Sequence, residues 1–333
     1  MSKIKTEIAA ALASNFGKNI DAKVISALGN ESTSLSISQI KSLKPSDLVD
    51  SLNILSNVIG WRKGQAKAIV LSLLSSGFVQ INSSASLLNL GSLISGVPST
   101  VFSSISGSDL VTVSRNPSVL FYILSAPQIV QLTFVIKIIY LNTNSLQIIE
   151  NVPDNLATEI PGVYLLQFPN DISTVIRLNR KKWKPQQVAL FFDIIAANSE
   201  IAELGGPNNL SSSVLQGFTC TTVRSLGKRQ IKNLIKACRR KGTNKVPLVE
   251  TQLTCMYNQI KEESDATSFS LYPPDVLLYY DYSLVPRSSC RSYFQELADA
   301  DFSIFSSALT YRRSALFDNA RNCLVSLEQD QQI

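Results

Sequence analysis

Five segments of the chain repeat one local pattern, in which proline or glycine stands beside serine or aspartate. They are KPSDLVD from Lys44, VPSTVFS from Val97, SGSDLVT from Ser106, VPDNLAT from Val152 and YPPDVLL from Tyr272. Proline fixes φ at a first helical position that has no amide bond to lose. Serine or aspartate can accept a hydrogen bond from an unpaired N–H group at a helix start, and a carboxylate there suits the helix dipole. The pattern therefore predicts many short helices that restart at one kind of turn, at irregular intervals.

Apolar residues recur every three or four positions, and no stretch alternates for long at the period of two that a strand requires. This helical spacing is shown by Ile8, Leu12 and Phe16, and by Val188, Phe191 and Ile195. Short helix pairs cannot bury their apolar faces alone, but stacked neighbours can. We therefore expect an all-α fold, an irregular armadillo- or HEAT-like superhelical array of short helices, with an irregular all-α globule as the alternative.

The best candidate for a membrane span, Ser118–Leu141, contains Pro127, Gln131 and Lys137. Polar side chains in the middle of such a run are costly in a membrane. The run therefore predicts two buried helices joined at Ala126–Pro127 rather than a span.

Composition changes along the chain. Residues 1–170 are rich in serine and poor in charge, whereas basic residues and cysteines gather after Arg177. The segment ELGGPNNLSSS, residues 203–213, contains Gly-Gly-Pro-Asn-Asn, which interrupts both helix and strand. We predict a helical-repeat region at residues 1–202, a linker at 203–213 and a cysteine-containing helical region at 214–333.

The 333 residues include no histidine. This excludes histidine metal sites and the Ser-His-Asp and Cys-His nucleophile systems. The sequence also lacks a P-loop, the GxGxxG and GxSxG motifs and a clear pair of carboxylates for acid–base chemistry. We therefore expect no catalytic residues, no metal site and no cofactor, in a protein that is not an enzyme.

The first basic block, RLNRKKWKPQQ, contains no acidic residue and carries Arg177, Arg180, Lys181, Lys182 and Lys184. It fits a polyanion site. Arg177 and Arg180 also stand at the two ends of a four-residue frame suited to a proprotein convertase. The alternative is a solvated loop before a helix that opens at Lys184-Pro185.

The second basic block, RSLGKRQIKNLIKACRRKGTNK, forms a stripe at helical spacing. Its members are Lys228, Lys232 and Lys236, with Arg239 and Arg240 one turn further, while Ile231, Leu234, Ile235 and Cys238 occupy another face. Like charges at this spacing repel one another. The stripe is therefore either a solvated face or a docking surface for an anionic partner. The block has no interleaved aromatic residues and no RNA-binding signature, so nucleic acid is not the expected partner.

The tyrosine-rich stretch YPPDVLLYYDYSLVPRSSCRSYF occupies residues 272–294. Pro273, Pro274 and Asp275 predict a helix start, and Pro286 ends that element before a second helix with Cys290. We interpret the stretch as a joint between two buried helices rather than an active site.

All five cysteines lie in the last third of the chain, and none forms a CxxC pair. Their spacing fits a disulfide-bearing region in an oxidising compartment and buried free thiols in a reducing one equally well. Glycosylation sequons begin at Asn30, Asn82 and Asn209, which weakly favours secretion.

The second half of the chain contains, in this order, PNNLSSSVLQGFTCTTVRSLGKRQIKNLIKAC, VPLVETQLTCMYNQI, YPPDVLLYYDYSLVPRSSCRSYFQELADADFSIF and RRSALFDNARNCL. Over roughly residues 207–324 these segments resemble the N-terminal region of mesothelin precursors, in the family that also holds stereocilin and otoancorin. The resemblance implies an all-helical, superhelical ectodomain that is extracellular, glycosylated and attached to the cell surface or matrix. It implies adhesion as the role, with mucin-type glycoproteins as one class of partner.

The resemblance also places four cysteines at family positions. It implies a Cys290–Cys323 disulfide first, a Cys220–Cys255 disulfide second and a free Cys238. The opening MSKIKTEIAAALASNFG is not a signal peptide, and the closing NCLVSLEQDQQI lacks the hydrophobic tail of a lipid-anchor signal. Membrane attachment is therefore not encoded in this chain, as expected of a fragment or of a soluble or intracellular family member.

These observations lead us to expect a non-enzymatic extracellular or cell-surface protein. It would mediate cell–matrix or cell–cell adhesion by binding mucin-type or matrix glycoproteins, and acidic glycans, through a helical superhelix. The alternative is an intracellular helical-repeat scaffold that binds acidic proteins or nucleic acid through its basic stripe.

Overall fold

A computed structural model of the protein describes residues 2–142, 144–197, 210–263, 268–304 and 310–330. Every regular element in these ranges is a helix, and most of the helices are short. The predicted all-α fold is therefore confirmed. The superhelical arrangement of the helices stays a prediction.

The chain divides into two compact units, Met1–Tyr164 and Leu165–Ile333. The linker predicted at residues 203–213 lies within the second unit, and its residues 203–209 lie outside the described part of the chain. The change in composition near residue 170 therefore lies closer to the structural division than the Gly-Gly-Pro segment does.

The first unit consists of short helices joined by tight turns. Its α-helices are α1 (Ser2–Asn15), α2 (Ala22–Leu28), α3 (Ile37–Ser42), α4 (Pro45–Asp50), α5 (Leu52–Leu55), α6 (Lys63–Ser75), α7 (Ser84–Leu88), α8 (Ser99–Ser104), α9 (Gly107–Ser114), α10 (Pro117–Leu124), α11 (Gln128–Leu141) and α12 (Ser145–Asn151). Its 3₁₀ helices are Gly29–Ser34, Gly91–Gly96 and Asp154–Glu159, and a further one, Gly162–Leu165, contains the division point.

The second unit has α-helices of 4 to 21 residues, and most of its described 3₁₀ helices follow α17. Its α-helices are α13 (Ile172–Arg180), α14 (Pro185–Ala197), α15 (Ser212–Leu215), α16 (Cys220–Ser225), α17 (Lys228–Cys238), α18 (Glu250–Ile260), α19 (Cys290–Leu297) and α20 (Thr310–Asp330). Its 3₁₀ helices are Gly242–Asn244, Phe269–Leu271, Pro274–Leu278, Tyr282–Leu284, Arg287–Ser289 and Phe302–Ile304.

The repeated start pattern produces a helix at all five places. Pro45 is the first residue of α4, and α8 directly follows Pro98. Ser106 caps α9, because its Oγ accepts a hydrogen bond from the Asp109 N–H at 3.1 Å. The other two segments form the tighter 3₁₀ helices Asp154–Glu159 and Pro274–Leu278.

The apolar run at residues 118–141 forms two helices, as predicted, with the break at Pro127. Gln131 joins them, since its Nε2 donates to the carbonyl oxygens of Leu124 at 2.7 Å and Ala126 at 3.2 Å. A helix leaves the carbonyl groups of its last turn without amide partners, so this side chain completes the end of α10. In the part of the chain that the structure describes, no helix has both the length and the apolar character to cross a membrane.

A fully buried glutamine ties α6 to the turn before α3. The Gln65 Oε1 accepts a hydrogen bond from the Arg62 N–H at 3.0 Å, which closes the first turn of α6. Its Nε2 donates to the carbonyl oxygens of Thr33 at 2.8 Å and Leu35 at 2.7 Å. One side chain therefore starts its own helix and satisfies two backbone carbonyls of an earlier segment.

The same arrangement recurs at Gln39 in α3 and at Gln252 in α18, both of which are buried. Their Nε2 atoms donate, at 2.7–2.9 Å, to the carbonyl oxygens of Ala13 and Gly17 and of Gln216 and Phe218 respectively. We call Gln39, Gln65 and Gln252 the glutamine bridges. They occur in both units, so the two units share one way of joining consecutive helices.

Helix α1 buries its small residues instead of its large ones. Ala9 and Ala13 are buried, whereas Ile8 and Leu12 are 56% and 51% exposed, and Phe16, directly after the helix, is 43% exposed. The apolar spacing predicts the helix correctly but not the face that it buries. Gln39 reaches the carbonyl oxygen of Ala13 on the buried side, where a small side chain leaves room for the approach.

Candidate functional site

Most of the second basic block lies on helix α17, which is capped at its start and packed into the core along one face. Its first turn is closed by Gln230, whose Oε1 accepts a hydrogen bond from the Gly227 N–H at 3.0 Å. Ile231, Leu234 and Ile235 are buried, which confirms the predicted apolar face. Because one side of α17 is fixed in the core, the positions of its cations are set by the helix itself.

Between Arg224 and Val249 the sequence has nine lysine or arginine residues and no aspartate or glutamate. Any carboxylate of the protein that pairs with this segment therefore comes from outside it. Lys228, at the start of α17, pairs with Glu263, and this hydrogen bond raises the pKa of Lys228. The first residue of the predicted stripe is thus already paired within the protein.

Two further ion pairs hold the turn that follows α17. Lys241 pairs with Asp299 at 2.8 Å, which raises the pKa of Lys241 and lowers that of Asp299. The Lys245 Nζ donates to the Asp275 Oδ1 at 2.9 Å, and Asp275 also accepts a hydrogen bond from the Asp301 N–H at 2.7 Å. Asp275, predicted from sequence as a helix-start residue, is buried, and its carboxylate binds two other segments of the unit.

A cavity of about 360 Å³ opens at the C-terminal end of α17. It is lined by Lys236, Arg239, Arg240, Lys241, Tyr272, Pro274 and Glu296. Residues 239–241 lie beyond the last residue of the helix, Cys238, and are therefore no longer separated around a helix axis. The structure thus brings three residues of the predicted stripe together and adds Lys241, which helical spacing does not reveal. We call this the basic cavity.

Arg240 is the part-buried cation of the basic cavity. Its Nη2 donates a hydrogen bond to the carbonyl oxygen of Leu210, which fixes the guanidinium in place. Burial lowers the pKa of Arg240, since removing water disfavours the charged form. Burial likewise raises the pKa of the neighbouring Cys238 thiol to about 12, so this cysteine is an unreactive part of the core.

The tyrosine-rich stretch at residues 272–294 is a packed joint, as predicted. Tyr272 and Tyr293 are fully buried, and the Tyr293 Oη donates to the carbonyl oxygen of Leu277 at 2.8 Å. Its first element is the 3₁₀ helix Pro274–Leu278, which ends well before Pro286, so the predicted stop at Pro286 is wrong. Pro286 instead precedes the 3₁₀ helix Arg287–Ser289, and Cys290 begins α19. Tyr272 connects this stretch to the basic cavity, because its side chain is part of the cavity lining.

A larger, open groove of about 930 Å³ lies between this joint and α20. Tyrosine side chains line it, and Arg312 lies over the ring of Tyr279 at 5.6 Å. Its charged lining residues are Lys261, Arg312, Glu262 and Asp281, which balance one another. Since the groove has no net charge, the candidate site for an anionic partner is the basic cavity.

The first basic block is partly built into the fold. Arg177 and Arg180 lie in α13, and Lys181 directly after it is buried. Trp183 is also buried, with its Nε1 donating to the carbonyl oxygen of Leu178 at 2.7 Å. Proteases cut most readily at exposed loops, so cleavage after Arg180 requires that the end of α13 open first. The processing site and the polyanion site at this block stay predictions.

The structure contains the Cys290–Cys323 disulfide, which joins α19 to α20. Cys238 is a free thiol. Both agree with what the resemblance implies.

Cys220 and Cys255 are neighbouring thiols on α16 and α18. Burial, together with a hydrogen bond to the Cys220 thiol, raises the pKa of Cys255 to about 11. The Cys220 Sγ donates to the carbonyl oxygen of Thr251 at 3.3 Å. The second implied disulfide is therefore not formed in the structure, although its two cysteines lie side by side.

Two of the three sequons are placed where a glycan can be attached. The side chains of Asn30 and Asn82 are exposed, whereas Asn209 lies outside the described residues. Occupancy of these sites stays a prediction.

Comparison with known proteins matches about a third of the chain to curated relatives. The chain is 35% identical over 113 residues to the mesothelin-like protein of Homo sapiens, and this match covers 34% of the chain and 16% of that protein. It is 31% identical over 114 residues to the mesothelin-like protein of Mus musculus, again over 34% of the chain and 16% of the relative. The chain thus matches about one sixth of the length of these relatives. No solved structure matches it.

The family model described as Mesothelin matches residues 158–327, just over half of the chain. The match begins close to the division at Tyr164 and Leu165, and so covers almost the whole of the second unit. It includes α17, the basic cavity and the Cys290–Cys323 disulfide. The chain belongs to the mesothelin family.

Proposed function

We propose that the protein is a non-enzymatic extracellular or cell-surface adhesion protein that binds glycoprotein partners through the basic surface of α17. The observation that carries this proposal is the acid-free segment of nine cations at residues 224–249, part of which lines one cavity. A cleft in which one sign of charge predominates attracts partners of the opposite sign and speeds their association. Mucin-type and matrix glycoproteins carry acidic groups on their sugars and therefore suit such a surface.

Two features support an oxidising compartment. Disulfides persist in secreted and cell-surface proteins and are rare in the cytosol, and the structure has one between Cys290 and Cys323. The exposed side chains of Asn30 and Asn82 are available to glycosylation enzymes of the secretory pathway.

The test is binding of the full chain, expressed in mammalian cells, to immobilised acidic mucin. We expect Lys232→Glu/Lys236→Glu to weaken binding markedly, and added salt to weaken binding of the wild type, because both reduce the attraction between the helix cations and an acidic partner. The matched control is Lys63→Glu/Lys67→Glu, which makes the same change at the same spacing on exposed positions of α6. Equal binding by wild type and both variants would remove the basic surface from the proposal.

The intracellular scaffold remains the second candidate, because Cys220, Cys238 and Cys255 are all free thiols in the structure. Peptide mapping of unreduced protein recovered from its producing cell separates the two. A Cys290–Cys323 bridge with a glycan at Asn30 or Asn82 supports the extracellular protein, whereas five thiols and bare asparagines support the scaffold.

A further inference from the structure

The charged groups of the basic cavity define its ligand more closely than the overall positive charge of α17 does. Within the part of the chain that the structure describes, four cations line it, and the carboxylates beside them are Glu296 in the lining and Asp299, which pairs with Lys241 at 2.8 Å. The four cations and these two carboxylates together have a net charge of +2. Among the described residues at the basic cavity, cations therefore outnumber carboxylates.

Two of the four cations are the adjacent arginines Arg239 and Arg240. A guanidinium presents N–H donors in a planar fork, which binds a carboxylate, sulfate or phosphate group through two parallel hydrogen bonds. The Arg240 guanidinium is already held by the carbonyl oxygen of Leu210, so little side-chain freedom is lost when a ligand binds. Its pKa is lowered by burial, and a bound anion would offset that cost of desolvation.

Helix α17 extends the positive charge away from the basic cavity in one direction. Lys232 and Lys236 are one turn apart, about 6 Å along the helix axis. Two cations one turn apart that lead out of a cavity match a linear chain with repeated negative charges better than a single small anion. A volume of about 360 Å³ accommodates one tetrahedral oxyanion with part of the sugar that bears it.

We propose that the basic cavity binds a sulfate ester of a linear sulfated glycan, with the glycan chain continuing along Lys236 and Lys232. This inference rests on the proposed function, because it names the group on the glycoprotein partner that the basic surface recognises.

The test uses the full chain and a size-defined heparin oligosaccharide, compared with the same oligosaccharide after complete desulfation and N-acetylation. Calorimetry gives the affinities at physiological salt. The informative variant is Lys236→Ala/Arg239→Ala, since both side chains are exposed and their removal leaves the core intact. The control is Lys228→Ala, on the same helix but paired with Glu263 outside the cavity.

We expect the sulfated oligosaccharide to bind at least about tenfold more tightly than the desulfated one, because desulfation removes the charge-assisted hydrogen bonds to the arginines. The double variant should lose about tenfold or more in affinity, Arg239→Lys should lose part of it, and Lys228→Ala should bind within about twofold of the wild type. An equal loss in Lys228→Ala would overturn the cavity assignment, because it would show attraction by charge alone. Tighter binding of a phosphopeptide of equal charge would overturn the class of ligand.

The outcomes also separate this inference from the proposed function. Binding to acidic mucin that is unaffected by desulfation, with weak binding of the oligosaccharide, overturns the sulfate site and leaves the adhesion function standing. If the oligosaccharide binds in a cavity-dependent way but no glycoprotein binds, the adhesion function is overturned and the sulfate site stands.

Discussion

The Nε2 of Gln65 donates a hydrogen bond of 2.7 Å to the carbonyl oxygen of Leu35, and both residues are buried. The bond ties the start of α6 to a turn 30 residues earlier in the chain. Gln252 makes the same kind of bond in the second unit, to the carbonyl oxygen of Phe218 at 2.8 Å. Most of the first unit lies outside the family match at residues 158–327, yet it joins its helices with the same side chain.

Replacing Gln65 by leucine should destabilise the first unit by about 2–4 kcal/mol. The substitution leaves the carbonyl groups of Thr33 and Leu35 buried without a donor, and each unsatisfied group costs about 1–3 kcal/mol. Urea denaturation followed by circular dichroism measures the loss. Gln80→Leu is the control, because Gln80 is exposed and should change stability by less than about 0.5 kcal/mol. Equal stability of the two variants would contradict a structural role for the bridge.

Gly217 is a position where no side chain fits. A Cβ atom built there would lie 2.1 Å from the Cβ of Val188 in α14. Gly217→Ala should therefore destabilise the second unit by about 1–3 kcal/mol, as overpacking does. The check is a double-mutant cycle with Val188→Gly, in which the pair should cost less than the sum of the two single changes. Strict additivity would show that the two residues do not collide.

Several features follow from local rules that act within a few residues. Pro127 separates α10 from α11, and Ser106 caps α9. Proline restricts the backbone of the residue before it, and a serine side chain accepts a hydrogen bond from an amide a few residues later. The basic stripe on α17 and its buried face follow from helical spacing in the same way. Local chemistry therefore predicts where these helices begin and end, and it predicts the basic stripe on α17.

The features that the sequence does not reveal depend on distant segments. Ser36 and Gln39 match the Ser-x-x-Gln pattern of a helix start, but the other two bridges follow Arg62 and Val249, which do not match it. No spacing shows that the Nε2 of these glutamines reaches another segment. Lys241 was missed in the cavity for the same reason, since it lies beyond the helix and its neighbour Glu296 comes from α19.

Loss of the Cys290–Cys323 disulfide should loosen α20. The bridge closes a loop of 33 residues, for which chain entropy gives a stabilisation of about 3–4 kcal/mol. Cys290→Ala/Cys323→Ala should lower the stability of the second unit by about that amount and increase amide exchange throughout α20. Cys220→Ala, which removes a free thiol, should cost less than about 1 kcal/mol. If adding reductant to the wild type changes neither stability nor exchange, the bridge does not hold α20.

Cys220 and Cys255 should form a second disulfide under oxidising conditions, but slowly at neutral pH. The thiolate is the reactive species, and burial with the Cys220 hydrogen bond raises the pKa of Cys255 to about 11. A raised pKa keeps the thiol protonated, so its alkylation by iodoacetamide should accelerate about tenfold for each pH unit up to about 11. Cys238 is the internal control, because it is buried and should react only after unfolding.

Mass spectrometry measures both effects. Cysteine peptides are compared at increasing pH for alkylation, and unreduced peptides are compared after exposure to oxidised glutathione for disulfide formation. Rapid alkylation of Cys255 at neutral pH, or pairing of either thiol with Cys238 in the folded protein, would contradict the arrangement of α16 and α18 described above.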